Sequence, residues 1–209
     1  MRTIMGAFIW GCAFFLVING LNIGNVMAEK KLTSYCEKRD FKKSTEPSGI
    51  KKTQIKKIVK TKKTKDKIFV IHKHNASHLH YDFRIEYNGV LKSWAVPKGM
   101  PKKVTEKHLA IQTEDHPYDY AQFEGVIPEG NYGAGTVKIW DSGTYENIKT
   151  KDGKLVPMKE CLKLGTVEIF LTGKKVKGPY ALIKTKLGGK SSWLLIKMKR
   201  QKVSHETKR

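Results

Sequence analysis

Apolar and polar residues alternate with a period of two along much of the chain after residue 67, which predicts strands rather than helices. Turn signals such as Asn88-Gly89, Ser142-Gly143 and Gly188-Gly189 separate the alternating segments. Short strands at this spacing predict a mainly β domain, folded as an antiparallel barrel or a sandwich. The predicted strands are Ile68–His74, His80–Tyr87, Leu91–Val96, Leu109–Glu114, Thr136–Trp140, Thr166–Leu171, Tyr180–Thr185 and Trp193–Met198.

Helical signals are weak. We predict a short helix near the basic arm that precedes the strands and another around Met158–Leu164. The spacing of glycines 130, 133 and 135 resembles that of a phosphate-binding loop, but these residues do not lie between a strand and a helix of a βαβ unit. We therefore interpret them as part of a hairpin turn.

The first 28 residues have the pattern of a targeting segment. Arg2 is followed by the almost wholly apolar run Ile4–Ile18, and Val26–Ala28 offers small or apolar side chains before Glu29, as a signal peptidase requires. The apolar run is shorter than the roughly 20 residues of a membrane-spanning helix. This pattern predicts an exported protein, periplasmic or secreted, with a membrane-anchored or cytoplasmic protein as the alternatives.

Charge points to a polyanionic partner. The chain has 41 basic and 19 acidic residues, a formal net charge of +22, which favours binding to nucleic acid or to an anionic membrane surface. Lysines are dense in Lys51–Lys67, a segment that is either a solvated linker or a flexible arm for phosphates. Cys36 and Cys161 either pair or stay free. We divide the chain into a signal-like segment (1–28), a basic arm (29–67), a β domain (68–200) and a basic tail (201–209).

Candidate chemistry lies in the first two strands. Alternation places His80, Asp82 and Arg84 on one face of a strand, while the other face carries apolar side chains for a core. His74 stands across an Asn-Ala-Ser turn, so two imidazoles and a carboxylate can converge on manganese, iron or zinc. The alternative is a polar surface with an exposed Asp–Arg ion pair.

Longer motifs surround this group. Two lie in the arm, Lys38–Phe41 and Thr45–Gly49; the others are His74-x5-His80-Tyr81-Asp82-Phe83-Arg84, Leu91–Gly99, Glu114-Asp115-His116-Pro117-x-Asp119-Tyr120 and Phe123–Gly135. Over roughly Leu32 to Arg200 these motifs resemble the 3′-phosphoesterase domain of bacterial DNA ligase D. The chain has no room for ligase or polymerase domains, which predicts a stand-alone form.

The resemblance implies a compact antiparallel β-barrel with one or two short flanking helices. It also implies a manganese-dependent enzyme, with other divalent transition metals possible, that removes 3′-terminal ribonucleotides and 3′-phosphates and leaves 3′-hydroxyl ends. By matching motif, the metal ligands are His74, His80 and Asp82. Arg84 would hold the scissile phosphate, His116 would bind phosphate or act as general acid, and Tyr120 would position the phosphate. The substrate-binding candidates are Lys98, Glu114, Arg39, Asp40, Glu46 and His72.

The implied substrates are DNA or RNA-tipped DNA 3′ ends, the implied partners are a ligase or other end-joining proteins, and a monomer is expected. The chain departs from the family pattern at His72 and His108, where the family commonly has glutamine and arginine. The alternative functions are an exported nuclease, a non-catalytic nucleic-acid-binding protein, and an iron oxygenase that uses His80, Asp82 and His116.

Overall fold

The computed structural model describes residues 32–49, 67–187, 189 and 191–199. In this part of the chain there are two short α-helices, α1 (Thr33–Glu37) and α2 (Met158–Leu164), and a 3-10 helix at Tyr118–Gln122. The strands are β1 (Lys67–Asn75), β2 (Leu79–Tyr87), β3 (Val90–Val96), β4 (Lys107–Gln112), β5 (His116–Pro117), β6 (Gly125–Ile127), β7 (Gly135–Asn147), β8 (Thr150–Lys151), β9 (Lys154–Leu155), β10 (Thr166–Gly173), β11 (Lys177–Lys184) and β12 (Ser192–Lys197). All eight predicted strands and both predicted helices are present.

Eight of the strands close into an antiparallel barrel. The hydrogen-bonded order is β1-β2-β3-β4-β12-β11-β10-β7, and β7 pairs back with β1. That last pairing distinguishes a barrel from a sandwich, because it leaves no open edge in the ring. The prediction of a compact antiparallel barrel is confirmed.

The barrel interior takes every second residue of its strands. Phe69 and Ile71 of β1 point into the same core as Phe83 and Ile85 of β2. Trp94 lies there at 0% exposure. Burial of these apolar side chains is the main stabilising contribution to the barrel.

The outer face of β1, β2 and β3 is also covered. A second apolar cluster there joins Val70 and Leu91 to Leu32 and Tyr35 of the arm and to Tyr120 of the 3-10 helix. These three strands therefore have protein on both faces. Polar side chains on their outer face are buried, and this burial creates the candidate site.

One predicted turn is wrong. Ser142-Gly143 lies inside β7, which continues unbroken to Asn147. A Cβ at position 143 would overlap the backbone carbonyl oxygen of Thr172 in β10, so glycine here permits a close approach of two paired strands. By contrast, glycines 130 and 133 do lie in the connection between the antiparallel strands β6 and β7, as predicted.

Several predictions concern residues 1–31, 50–66 and 201–209, which lie outside the described residues. None of the helices in the described ranges is long and apolar enough to cross a membrane. Cys36 and Cys161 are both free thiols.

Candidate metal centre

Two paired strands bring the predicted metal ligands together. In the β1–β2 register His74 lies opposite His80, and His72 lies opposite Asp82. The Nδ1 atom of His74 is 3.5 Å from Oδ2 of Asp82, and the Nε2 atom of His80 is 3.5 Å from Oδ1. One ligand atom from each of the three residues lies within 4.8 Å of the others. Two imidazole nitrogens and a carboxylate at this separation fit a divalent transition metal.

Backbone carbonyls orient both imidazoles. Nε2 of His74 is 2.9 Å from the carbonyl oxygen of Gly133, and Nδ1 of His80 is 2.9 Å from that of His78. A carbonyl oxygen accepts, so these ring nitrogens carry the protons and donate them. Each ring then presents its other nitrogen toward Asp82, which is the arrangement usual for metal-binding histidines.

Asp82 remains a carboxylate although it is buried. Burial alone raises its pKa, but the charge of the Arg84 guanidinium, together with the His74 and His80 rings beside it, outweighs that effect and holds the pKa well below its usual range. Nη2 of Arg84 donates to Oδ2 of Asp82 at 3.0 Å. An ionised carboxylate is the form that a metal requires.

Arg84 has one hydrogen-bond donor that no described residue uses. Its Nε atom donates to Nδ1 of His72 at 3.4 Å, and its Cζ atom lies 4.8 Å from the centre of the Tyr120 ring. Its Nη1 atom is buried and has no hydrogen-bond partner in the described part of the chain. An unpartnered buried donor costs about 1–3 kcal/mol, which an acceptor group of a ligand would offset.

His72 lies behind Arg84 rather than in the metal group. It is fully buried, and burial together with the Arg84 charge lowers its pKa to about 3. It is therefore a neutral hydrogen-bond acceptor that fixes the direction of the guanidinium.

His116 contacts Arg39 and the Tyr120 ring, whose centre lies 4.9 Å from the centre of the imidazole. Its Nδ1 atom donates to the carbonyl oxygen of Glu114 at 2.9 Å, so Nε2 carries the lone pair and accepts from Nη2 of Arg39 at 3.3 Å. Burial, followed by the charges of Arg84 and Arg39, lowers the pKa of His116 well below its usual range. In this state His116 is neutral and has no proton on Nε2 to donate.

The arm is tied to the site through Arg39. Nε of Arg39 donates to Glu46 at 2.9 Å and Nη1 donates to Glu114 at 2.9 Å, while its guanidinium lies 3.9 Å from the centre of the Tyr35 ring. The Tyr120 hydroxyl donates to the same Glu46 carboxylate at 3.1 Å. These contacts make a continuous polar network from the arm to the metal group.

Two of the predicted residues are placed elsewhere. Lys98 is exposed in the turn after β3. The Asp40 side chain is 47% exposed and accepts from the backbone amide of Lys42 at 3.0 Å. Of the two departures from the family pattern, His108 bonds through Nδ1 to the carbonyl oxygen of Gly99 at 2.7 Å, which ties it to that same turn.

Three further participants, all within segments that resemble the family, received no role from the sequence. The Ser93 hydroxyl is 3.3 Å from Nδ1 of His116, Tyr35 packs its ring 5.0 Å from the ring of His116, and the Gly133 carbonyl orients His74. Ser93 stands opposite Arg84 in the β2–β3 register. Strand pairing is the signal that would have found it; a backbone carbonyl leaves no signal in a sequence.

Comparison with known proteins identifies the family. The DNA Ligase D 3′-phosphoesterase domain matches residues 72–184. The chain is 44% identical over 177 residues to the multifunctional non-homologous end joining protein LigD of Pseudomonas aeruginosa, 45% over 173 residues to that of Mycobacterium bovis, and 47% over 172 residues to that of Mycolicibacterium smegmatis. These alignments cover 82% of this chain in each case and 19%, 20% and 21% of the three relatives. The chain thus spans about a fifth of their length.

The relatives also correct the prediction of export. The matching protein of Mycobacterium tuberculosis is called a multifunctional non-homologous end joining DNA repair protein, and DNA repair takes place where the chromosome is. The expectation of a periplasmic or secreted protein, drawn from residues 1–28, is therefore wrong. Since the family match covers more than half of the sequence and agrees with the barrel and with the His-His-Asp group, the chain belongs to the DNA Ligase D 3′-phosphoesterase domain family.

Proposed function

We propose that this phosphoesterase heals the 3′ ends of nucleic acids: it removes 3′-terminal ribonucleotides and 3′-phosphates and leaves 3′-hydroxyl ends. The observation that supports this most is the spare donor of Arg84 beside the His74, His80 and Asp82 group. An anionic ester is the ligand that such an arrangement fits.

The three ligand atoms suit manganese or another divalent transition metal, for which His74, His80 and Asp82 would be the protein ligands. When bound there, the metal would neutralise charge on phosphate oxygens and lower the pKa of a water molecule. The chain supplies the remaining requirements: orientation of the phosphate and a proton for the leaving oxygen.

Arg84 orients the phosphate. Its guanidinium is planar, is held by Asp82 on one side and by His72 at Nε, and leaves Nη1 for a phosphate oxygen. The Tyr120 ring lies against the same guanidinium and limits its movement. This preorganisation means that little rearrangement is required when charge develops on the phosphate.

His116 becomes a proton donor when the phosphate arrives. At present the positive charges of Arg84 and Arg39 contribute to keeping it neutral. A phosphate anion bound to these arginines offsets their charge and raises the pKa of the imidazole. The same anion competes for the Arg39 donor and frees Nε2 of His116, which can then carry a proton to the leaving oxygen.

The proposed substrate is based on the net charge of the chain and on the names of its relatives. The net charge of +22 suits a polyanion, and the relatives are named as end-joining proteins. We propose DNA or RNA-tipped DNA 3′ ends as substrates, acted on by a monomer that passes 3′-hydroxyl ends to a ligase or other end-joining proteins.

The oxygenase alternative lacks support, because the described metal group contains His74 where that alternative needs His116. The nuclease and the non-catalytic binding protein are separated from the proposal by product analysis. A 5′-labelled primer on a template, ending in a 3′-phosphate or in one 3′-ribonucleotide, is incubated with the protein and manganese. We expect terminal products that a polymerase can extend. Internal fragments would indicate a nuclease, and binding without turnover would indicate a non-catalytic protein.

A further inference from the structure

The β1–β2 hairpin has a second exposed face at its tip. His74 and His80 point outward from the barrel, and the residues between and beside them alternate to the opposite face. Deeper in the barrel that face is the apolar core, but toward the hairpin tip it borders a cleft. The cleft is lined by Lys73, Asn75, Leu79, Thr136 and Lys138.

The two lysines of the cleft lie at paired positions of adjacent strands. Lys73 of β1 lies directly opposite Lys138 of β7 in the strand register, and both are exposed. Like charges at paired positions of adjacent strands repel each other. Neither lysine has an ion-pair partner within the described ranges. A bound anion would remove this repulsion.

Two acidic residues lie near Lys138, Asp141 by sequence and Glu124 through the pairing of β6 with β7, and both are hydrogen-bonded to backbone amides. The Asp141 carboxylate accepts backbone N–H groups of the β10–β11 turn, at 3.0 Å from Lys175 and 2.7 Å from Val176. Glu124 accepts from the backbone amide of Ile139 at 2.8 Å and lines, together with Lys138, a neighbouring cleft. Among the residues that the structure describes, no acidic side chain lines the cleft between Lys73 and Lys138.

Groups suited to sugars and bases accompany the lysines. Leu79 is 47% exposed at the rim. Tyr81, the neighbour of Lys73 across the hairpin, packs edge-on against Trp140 at 5.4 Å, and the Lys175 ammonium lies 5.0 Å from the centre of the Trp140 ring. Basic and apolar groups side by side are typical of surfaces that bind the sugar–phosphate backbone of a nucleic acid.

The route to the metal group passes this tip. Within that group the His80 side chain is 22% exposed, compared with 7% for His74 and 9% for Asp82. The most accessible side of the group is therefore that of His80, whose chain neighbour Leu79 lines the cleft.

We propose that the cleft between Lys73 and Lys138 is a nucleic-acid binding site that holds the sugar–phosphate backbone of the substrate beyond the nucleotide that reacts. This inference rests on the proposed function for the identity of the substrate. It assigns one face of the hairpin to the chemistry and the opposite face to binding of the polynucleotide.

The test compares a double substitution in the cleft, Lys73→Gln with Lys138→Gln, with a matched control, Lys159→Gln with Lys163→Gln. The control lysines are exposed on α2, which lies near Asn147 at the far end of β7. Both variants lose the same charge. Equilibrium binding of a fluorescent primer-template is measured in chelator at several salt concentrations, so that this readout does not depend on turnover.

We expect the cleft variant to bind roughly tenfold more weakly than the control at moderate salt and its log–log salt slope to be lower by roughly 1 to 2, the value for two lost phosphate contacts. Activity is then measured with manganese on the oligonucleotide and on a nucleoside 3′-phosphate. For the cleft variant, the ratio of kcat/KM on the oligonucleotide to kcat/KM on the nucleoside 3′-phosphate should be roughly tenfold lower than for the control. Equal binding and equal salt slopes for the two variants would overturn the inference. An equal loss of activity on both substrates would also overturn it, because it would place the lysines in the chemistry. Absence of turnover by the unmodified protein, with the binding difference intact, would refute the proposed function alone.

Discussion

Replacing Arg84 with lysine separates the shape of the side chain from its charge. In the structure one guanidinium donates to Asp82 at 3.0 Å and to His72 at 3.4 Å and keeps Nη1 free. A lysine ammonium retains the positive charge beside Asp82 but cannot occupy all three directions. The hydrogen bond to the phosphate is the one that is lost, because the ion pair with Asp82 remains the shortest contact available.

The size of the effect follows from that single bond. A hydrogen bond to a charged group contributes about 1.5–3 kcal/mol, which corresponds to roughly a 10- to 150-fold change in rate. We therefore expect Arg84→Lys to lower kcat for a 3′-phosphate substrate by that factor. Metal affinity should change less than about threefold, because the charge next to Asp82 is kept.

The assay measures single-turnover hydrolysis of a labelled 3′-phosphate primer and, separately, binding of manganese by calorimetry. Arg84→Ala is the matched control, since it removes both the shape and the charge. Arg84→Lys should resemble Arg84→Ala in rate and the unmodified protein in metal affinity. A lysine variant with the unmodified rate would show that Arg84 is an ion-pair partner of Asp82 and nothing more.

Three further predictions concern the site and the barrel. His80→Ala should abolish manganese binding and turnover while leaving the thermal unfolding midpoint nearly unchanged, because the His80 side chain is partly exposed; full activity at normal metal occupancy would remove it from the ligand set. His72 and His116 have lowered pKa values in the folded protein, so the unfolded chain binds more protons below about pH 6.5. Stability in chelator should then fall as pH drops from 6.5 toward 5, by up to about 1.4 kcal/mol per pH unit for each histidine. His72→Gln should roughly halve that slope in denaturant titrations, and an unchanged slope would contradict the assigned charge states. Gly143→Ala should lower the free energy of unfolding by about 1–3 kcal/mol, because its methyl group overlaps the Thr172 carbonyl; an unchanged urea midpoint would refute this packing argument.

The metal group was predictable because it depends on local rules. A period of two fixes which side chains of β2 share a face, and a short turn returns His74 to the same side as His80. The number and spacing of strands predicted a barrel or a sandwich, the family resemblance implied the barrel, and the pairing of β1 with β7 confirms it.

Features that depend on distant residues were not predictable. The continuation of β7 through Gly143 requires the approach of Thr172. The neutral state of His116 depends on its burial and on the charges of Arg84 and Arg39, and Arg39 is 77 positions away in the sequence. The exposure of Asp40 results from the local turn that it forms with Lys42, a detail that a motif match does not carry.

Dependence of turnover on a metal held by His74, His80 and Asp82 is the decisive measurement. The protein is freed of metal with chelator, and hydrolysis of a 3′-phosphate-terminated primer-template is followed as manganese is added. We predict no hydrolysis in chelator, a rise to a plateau near one manganese ion per chain, and no recovery in His80→Ala at the same concentrations. Undiminished hydrolysis in excess chelator would contradict the assignment of a metal centre.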